Sequence, residues 1–543
     1  MDSSSITSAD AGEDHAVLDG AVQLGGLAAG LYGPGGRDKL VVTDGETVVT
    51  GDLHQLFDTL DLVHPGARIA ANAAVEQKET AGDGSTAVAL LIGALGDRAD
   101  DLLAKGMHRA TIAKGFHRGQ RAAVAAVADP GTPVADLDDP RSRAAIRASL
   151  GRATELDGSV EAVIEAARLT QRARDRGTRG IGVDHVEFHH RTGASAPAVE
   201  FRRGLFLERE PVTPNTARQF EDARIAVLGG GKKAGHGIEE RELKRTGGST
   251  GKGRTEVTLQ AETPEDLEAF RQHEVEDVKA QVQALVDADV DVVFTTMGIS
   301  DRAIAELDKA GITAFRSLQA PQARRVSRAT GARIVMGNTD IGPEDVGSAG
   351  RVTVESGDKT YVRIEECAES EVGTLVISGA LQYDATSIQR ALMSGISTGR
   401  TILQGTRLVP GGGGTWMQIA AAVRDEAKGV GDRSAVAMDE YAEALEALPR
   451  TLVRNAGGDP IDTLTRLRAS GADAVFDADE KVVRDAGDRG PFDLAPVVES
   501  AVTAASDVVI QLVRIDDTLP AADDDDEVED DYDFQPDPER DVV

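Results

Sequence analysis

Three glycine-bearing stretches hold the residues whose types and spacing could do chemistry, and each precedes or opens a helical pattern. Gly82-Asp-Gly-Ser-Thr86 lies directly before an alanine-rich helical segment starting at Ala87. Backbone N–H groups and the hydroxyls of Ser85 and Thr86 then sit at a helix N-terminus, where phosphate oxygens are favoured. Asp83 has two readings. It can cap the helix, or it can face phosphate across a hard cation such as Mg²⁺, without which the like charges repel. Leu31-Tyr-Gly-Pro-Gly-Gly-Arg-Asp-Lys39 is a turn whose small residues let backbone approach a ligand, or simply reverse the chain. Pro410-Gly-Gly-Gly-Gly414, with a helix from Thr415, suits either nucleotide contact or a tight turn between helices.

The elements that must position these stretches are helical at both ends of the chain. From His15 to Val127 apolar residues recur at helical spacing, as in Ala87 to Leu103. A Pro- and Asp-rich boundary at Thr132 to Pro140 precedes a helix at Ser159 to Leu169, and short alternating segments such as Val199 to Leu207 follow. The middle third reads as α/β. Its strands are predicted at Ala223 to Leu228, Val290 to Thr295, Thr313 to Arg316 and Ala332 to Met336. Thr263 to Ala288 predicts a long, exposed, charged helix, and the Gly-, Lys- and Arg-rich run Gly229 to Arg254 predicts a mobile loop. After a strand at Thr374 to Ser378, helices are predicted from about Thr386, at Thr415 to Ala427, Asp439 to Ala447 and Pro496 to Leu512. Helical sequence flanking an α/β middle implies one discontinuous domain made from both ends. Asp523 to Val543 is an acidic tail with too little apolar content to fold.

Composition narrows the function. A chain of 543 residues, 41% apolar, has material for about three domains. Its net charge of −33 opposes binding to nucleic acid or anionic membranes, and the excess acid suits a surface kept hydrated in concentrated salt. The start of the chain lacks a signal peptide's basic and apolar parts, and no uninterrupted apolar stretch approaches spanning length, so a soluble, cytoplasmic protein is expected. Cys367 is the single cysteine; a buried, inert side chain is expected there.

Taken in order, the glycine stretches resemble those of the group II (thermosome-type) chaperonins. The first is similar to that family's Leu-Gly-Pro-x-Gly-x-Asp-Lys loop, Gly82 to Thr86 to its Gly-Asp-Gly-Thr-Thr motif, and Val409-Pro-Gly-Gly-Gly413 to a third nucleotide-pocket element. Asp61-Leu-Val-His-Pro65, Ala329-Thr-Gly-Ala-Arg-Ile-Val335, Asn455-Ala-Gly-Gly-Asp-Pro-Ile-Asp462 and Arg514-Ile-Asp-Asp517 extend the resemblance over nearly the whole chain.

The resemblance implies a multidomain α and α/β fold. A mainly helical equatorial nucleotide domain would span 1–141 and 402–543, a small α+β intermediate hinge domain 142–208 and 366–401, and an α/β apical client-binding domain 209–365. The region from Thr263 to Ala288 would supply a helical protrusion acting as a lid. It also implies ATP and Mg²⁺ as cofactors, and unfolded polypeptides and other chaperonin subunits, in a homo- or hetero-oligomeric double ring, as partners. Leu31, Gly33, Pro34, Gly84, Ser85, Thr86, Gly412 and Gly413 would bind nucleotide, Asp83 would also hold Mg²⁺, and Asp52 would orient water, although its Gly51-Asp52-Leu53 context departs from the family's Asn-Asp-Gly.

Two further departures bear on turnover. Matching Gln389-Arg-Ala-Leu392 to the family's Glu-Arg-Ala-Leu puts the catalytic aspartate at position 394, where this chain has Ser394. A glutamate expected before Pro496 is replaced by Ala495, with Asp493 nearby. The expected function is an ATP-binding ring subunit with weakened hydrolysis; the alternative is a nucleotide-independent holdase or structural subunit.

Overall fold

The computed structural model describes residues 16–42, 47–128, 131–175, 185–191, 197–229, 264–336, 341–356, 359–367, 372–379 and 385–515. It begins with helix α1 (Ala16–Ala29), an antiparallel hairpin of β1 (Lys39–Val42) and β2 (Thr47–Thr50), and then α2 (Leu53–Thr59), α3 (Pro65–Ala81), α4 (Ser85–Ala104) and α5 (Arg109–Ala128). Small residues set how closely these helices approach. Gly25 on α1 meets Gly93 on α4 backbone to backbone, and a methyl on either would overlap the other's Cα. α3 opens on Pro65, whose fixed φ suits a first turn, and closes on Gly82 in the left-handed region.

The chain then runs through β3 (Thr132–Val134), α6 (Pro140–Leu150) and α7 (Ser159–Asp175) into β4 (Val186–Arg191), β5 (Ala198–Glu208) and β6 (Gln219–Leu228). After α8 (Pro264–Asp287) come β7 (Val292–Thr295), α9 (Asp301–Ala310), β8 (Thr313–Phe315), α10 (Ala320–Thr330), β9 (Ile334–Val335), β10 (Gly347–Ser356), β11 (Thr360–Glu365) and β12 (Gly373–Ser378). These strands form one mixed sheet in the order β4-β12-β5-β11-β10-β6-β7-β8, with β9 also on β6. β5 serves two neighbours: Ala198 to Arg203 pair with β12, and Gly204 to Glu208 pair with β11. At the changeover Gly204 has φ 119°, where a side chain would overlap Ile364 O. The helix predicted to be exposed is only partly so: Val278, Val282 and Leu285 of α8 are buried beside α9. Residues 230–263, which hold nearly all of the predicted loop, and the acidic tail lie outside the described residues.

The last part is α11 (Ala385–Leu403), β13 (Thr406–Pro410), α12 (Gly414–Ala427), α13 (Ser434–Leu445), α14 (Ala447–Asn455), α15 (Pro460–Ala469), the hairpin β14 (Ala474–Asp477) and β15 (Val482–Asp485), β16 (Phe492–Leu494) and α16 (Ala495–Arg514). One hydrophobic core joins α1 to α5 with α12, α13 and α16, so the two ends of the chain fold as one body. α16 is long and apolar enough, by composition alone, to cross a membrane, which the sequence reading had not anticipated. Here it is a core helix, burying Ala501, Val502, Ala505 and Val509. A second core joins α6, α7 and α11 to β4, β5 and β12, and two more lie on the faces of the β6–β8 sheet.

Candidate functional site

The turn between α3 and α4 is held open by glycine. Gly82 and Gly84 both have positive φ, 76° and 88°, and a methyl on Gly82 would overlap Ser397 Oγ of α11. Asp83 does not cap α4. Its Oδ1 accepts from Gly84 N at 2.8 Å, Gly84 is itself the N-cap, and no side chain caps the helix. The hydroxyls of Ser85 and Thr86 have no hydrogen-bond partner among the described residues, so the first turn of α4 presents free donors. Gln77 braces this turn, donating to Asp83 O at 3.1 Å while its Oε1 accepts from Ser500 Oγ at 2.7 Å.

The other two glycine stretches arrive from opposite ends of the chain. Asn455, at the end of α14, donates from Nδ2 to both Ala29 O and Tyr32 O at 2.8 Å, fixing the loop after α1. Gly33, with φ 81°, rests against Leu452 of the same helix, and Gly413 against Pro449. α14 thus backs both loops. Gly33 and Pro34 are exposed at the loop crest, whereas the Leu31 side chain is buried in the first core. Gly412 accepts from Phe476 N at 3.2 Å, and Gly413 caps α12 with φ 85°. Asp493 pairs with Val409 in the β13–β16 ladder.

Tyr32, Asp83 and Asp493 act on one another. Burial and then the Asp83 charge push the Asp493 carboxyl up to about 6. Burial also raises Asp83, against the pull of Lys78 and Gly84 N, and burial with both carboxylates raises the Tyr32 phenol, which Trp416 partly offsets. Asp83 and Asp493, beside the uncapped start of α4, offer carboxylate oxygens of the kind a hard divalent ion takes. Among the described residues no group of three His, Cys, Asp or Glu gathers as a protein-only metal cage. The arrangement therefore fits Mg²⁺ arriving with phosphate, because that ion keeps few protein ligands and takes phosphate oxygens.

α11 and α2 supply the remaining wall. Asp52 caps α2 by accepting from Gln55 N at 2.9 Å and is ion-paired to Arg390 Nη1 of α11. Ser394, one turn on, is buried; its Oγ accepts from Lys78 Nζ at 2.5 Å and donates to Arg390 O at 3.3 Å. Lys78 and Trp416 fall outside the motifs picked out in the sequence, and Tyr32 and Arg390 lie inside them with no role assigned. The usable signal for Lys78 was its spacing, one helical turn before Gly82 and so beside the Gly82 to Thr86 turn.

Comparison with known proteins decides the family. The model of the TCP-1/cpn60 chaperonin family matches residues 27–523. The chain belongs to that family. This chaperonin is similar to thermosome subunit 3 of Haloferax volcanii, 32% identical over 90% of this chain and 92% of that one. It is also 32% identical to thermosome subunit alpha of Halobacterium salinarum, over 90% of this chain and 85% of the relative. A thermosome subunit of Pyrococcus horikoshii is 30% identical over 90% and 88% of the two chains. It is accordingly a group II chaperonin.

Proposed function

We propose that this chaperonin binds ATP with Mg²⁺, joins a ring of identical or related subunits in the cytoplasm, encloses unfolded polypeptides, and cleaves its nucleotide slowly. The body built from both chain ends is the nucleotide-binding domain, the core around α11 the hinge, and the β6–β8 sheet with α8 the client-binding domain. Leu31, Gly33, Pro34, Gly412 and Gly413 offer backbone to the nucleotide, and Gly84, Ser85 and Thr86 offer donors to its phosphates. Mg²⁺, when bound, neutralises charge between Asp83 and those phosphates. The net charge of −33 favours dispersion in concentrated salt and opposes nucleic-acid and anionic-membrane partners.

One observation carries the slow hydrolysis. Hydrolysis needs a group that orients water and accepts its proton. At position 394 the hydroxyl accepts from Lys78 Nζ and donates to Arg390 O, and neither an ammonium nor a hydroxyl is such a base. Asp52 accepts from both Arg390 and Gln55 N on the same oxygen, Oδ1, so a guanidinium offsets its charge and weakens it as a base. Single-turnover cleavage measured beside nucleotide binding tests the reading: binding with slow cleavage is expected. Replacing Ser394→Asp alone leaves the new carboxylate paired to Lys78. The double variant Lys78→Gln, Ser394→Asp frees it, and should raise cleavage by roughly 10² to 10⁴. Fast cleavage by the unaltered chain rejects the reading, and absence of nucleotide binding favours a nucleotide-independent holdase.

A further inference from the structure

Among the described residues Lys78 is a cation without a counter-ion. Its side chain is half-buried on the last turn of α3, and among the described residues no carboxylate lies within ion-pair distance of its Nζ. Asp52, the N-cap of α2, is engaged by Arg390. Asp83 feels its charge without pairing with it. The one hydrogen bond it makes, to Ser394 Oγ at 2.5 Å, uses one of three N–H donors and aims the ammonium at the wall between α11 and the α3–α4 turn. A partly desolvated ammonium left in this state gains strongly from an anion placed against it, since charge-assisted hydrogen bonds are about twice as strong as neutral ones. The same turn carries Asp83, beside the uncapped N-terminus of α4 where Gly84 is the N-cap. A polyphosphate seated on the first turn of α4 brings such an anion to this wall.

We infer that Lys78, its ammonium aimed by Ser394, grips the terminal phosphate of a nucleoside triphosphate, so that the residue pair replacing a water-activating carboxylate makes the pocket a triphosphate-selective clamp. The inference rests on the nucleotide site proposed above. A diphosphate stops short of Lys78 and leaves it unsatisfied; a triphosphate does not. The serine matters because an aspartate at that position would neutralise the ammonium and repel the phosphate.

The test is calorimetric titration of the full-length, assembled protein with Mg²⁺ and either ADP or a non-cleavable ATP analogue. The unaltered protein should prefer the triphosphate. Lys78→Met should weaken the triphosphate roughly ten- to hundredfold while moving ADP by less than about threefold, as expected for loss of one charged hydrogen bond. Lys78→Arg, which keeps the charge, should retain most of the preference. Equal losses for both nucleotides, or none, overturn the clamp, as does an unaltered protein that binds both alike. Should the unaltered protein bind neither, it is the nucleotide site itself that fails. If Lys78→Met does not fold, by circular dichroism, Lys78→Gln is judged on the same two affinities.

Discussion

Asp493 holds its proton more tightly in the folded chain than in the unfolded one, because burial and the Asp83 charge both disfavour its ionised form. The sign follows from linkage. A carboxyl raised to about 6 contributes stability only where it is protonated, and that contribution disappears as pH rises from the ordinary carboxylate range through 6. At pH 7.5 the ligand-free protein therefore bears a cost that Asp493→Asn removes. A gain on the order of 1 kcal/mol is expected at pH 7.5, shrinking toward zero near pH 4, measured by denaturant titration at each pH. A gain that grows on acidification would contradict the proximity of the two acids. Cys367, expected from the sequence to be buried, is half-buried, and burial pushes its thiol up to about 11. The chemistry of Lys78 was not legible there, because a lysine on a charged helix face gives no sign of what it meets across 316 residues of chain.

At the scale of elements, α1 and α4 cross on glycine. Gly93 faces Gly25 so closely that an added methyl has backbone, not a movable side chain, to displace. Gly93→Ala should thus cost about 1–3 kcal/mol by overpacking despite alanine's better helix propensity, read as a fall in thermal midpoint. A rise would show that the helices can part freely. Helices and buried parallel strands were largely legible: α4 begins two residues before the predicted Ala87, and β6, β7 and β8 lie within two to four residues of their predicted ends. β10 and β11 were missed, since Gly347-Ser-Ala-Gly-Arg351 lacks a clear alternating run and gains its order by pairing with β6. The helix predicted at Asp439 to Ala447 is really two. α13 begins at Ser434 and stops at Glu446, a fully buried carboxylate ion-paired with Arg424 and Arg468, where α14 takes over.

Across the whole molecule, one continuous sheet borders three cores, and β5 changes partners at Gly204, between the core around α11 and those of the β6–β8 part. The ion pair of Arg325 on α10 with Glu187 on β4 crosses the same boundary. A change of sheet partners at a glycine is where a domain boundary can flex on differential binding of nucleotide. Electron microscopy of the purified protein should show stacked rings, with the clamp-filling triphosphate analogue closing them and ADP leaving them open. Monomers under both conditions would count against the ring assembly.

The sequence by itself determined the family, the helical ends with an α/β middle, and the glycine turns, because ordered motifs, helical periodicity and backbone freedom are local properties of the chain. Only the tertiary structure decided which charges meet: Lys78 with Ser394, Asp52 with Arg390, and Asp83 with Asp493. Each of these meetings joins segments hundreds of residues apart, and local order along the chain cannot specify which long side chains share a cavity once both ends fold into one core.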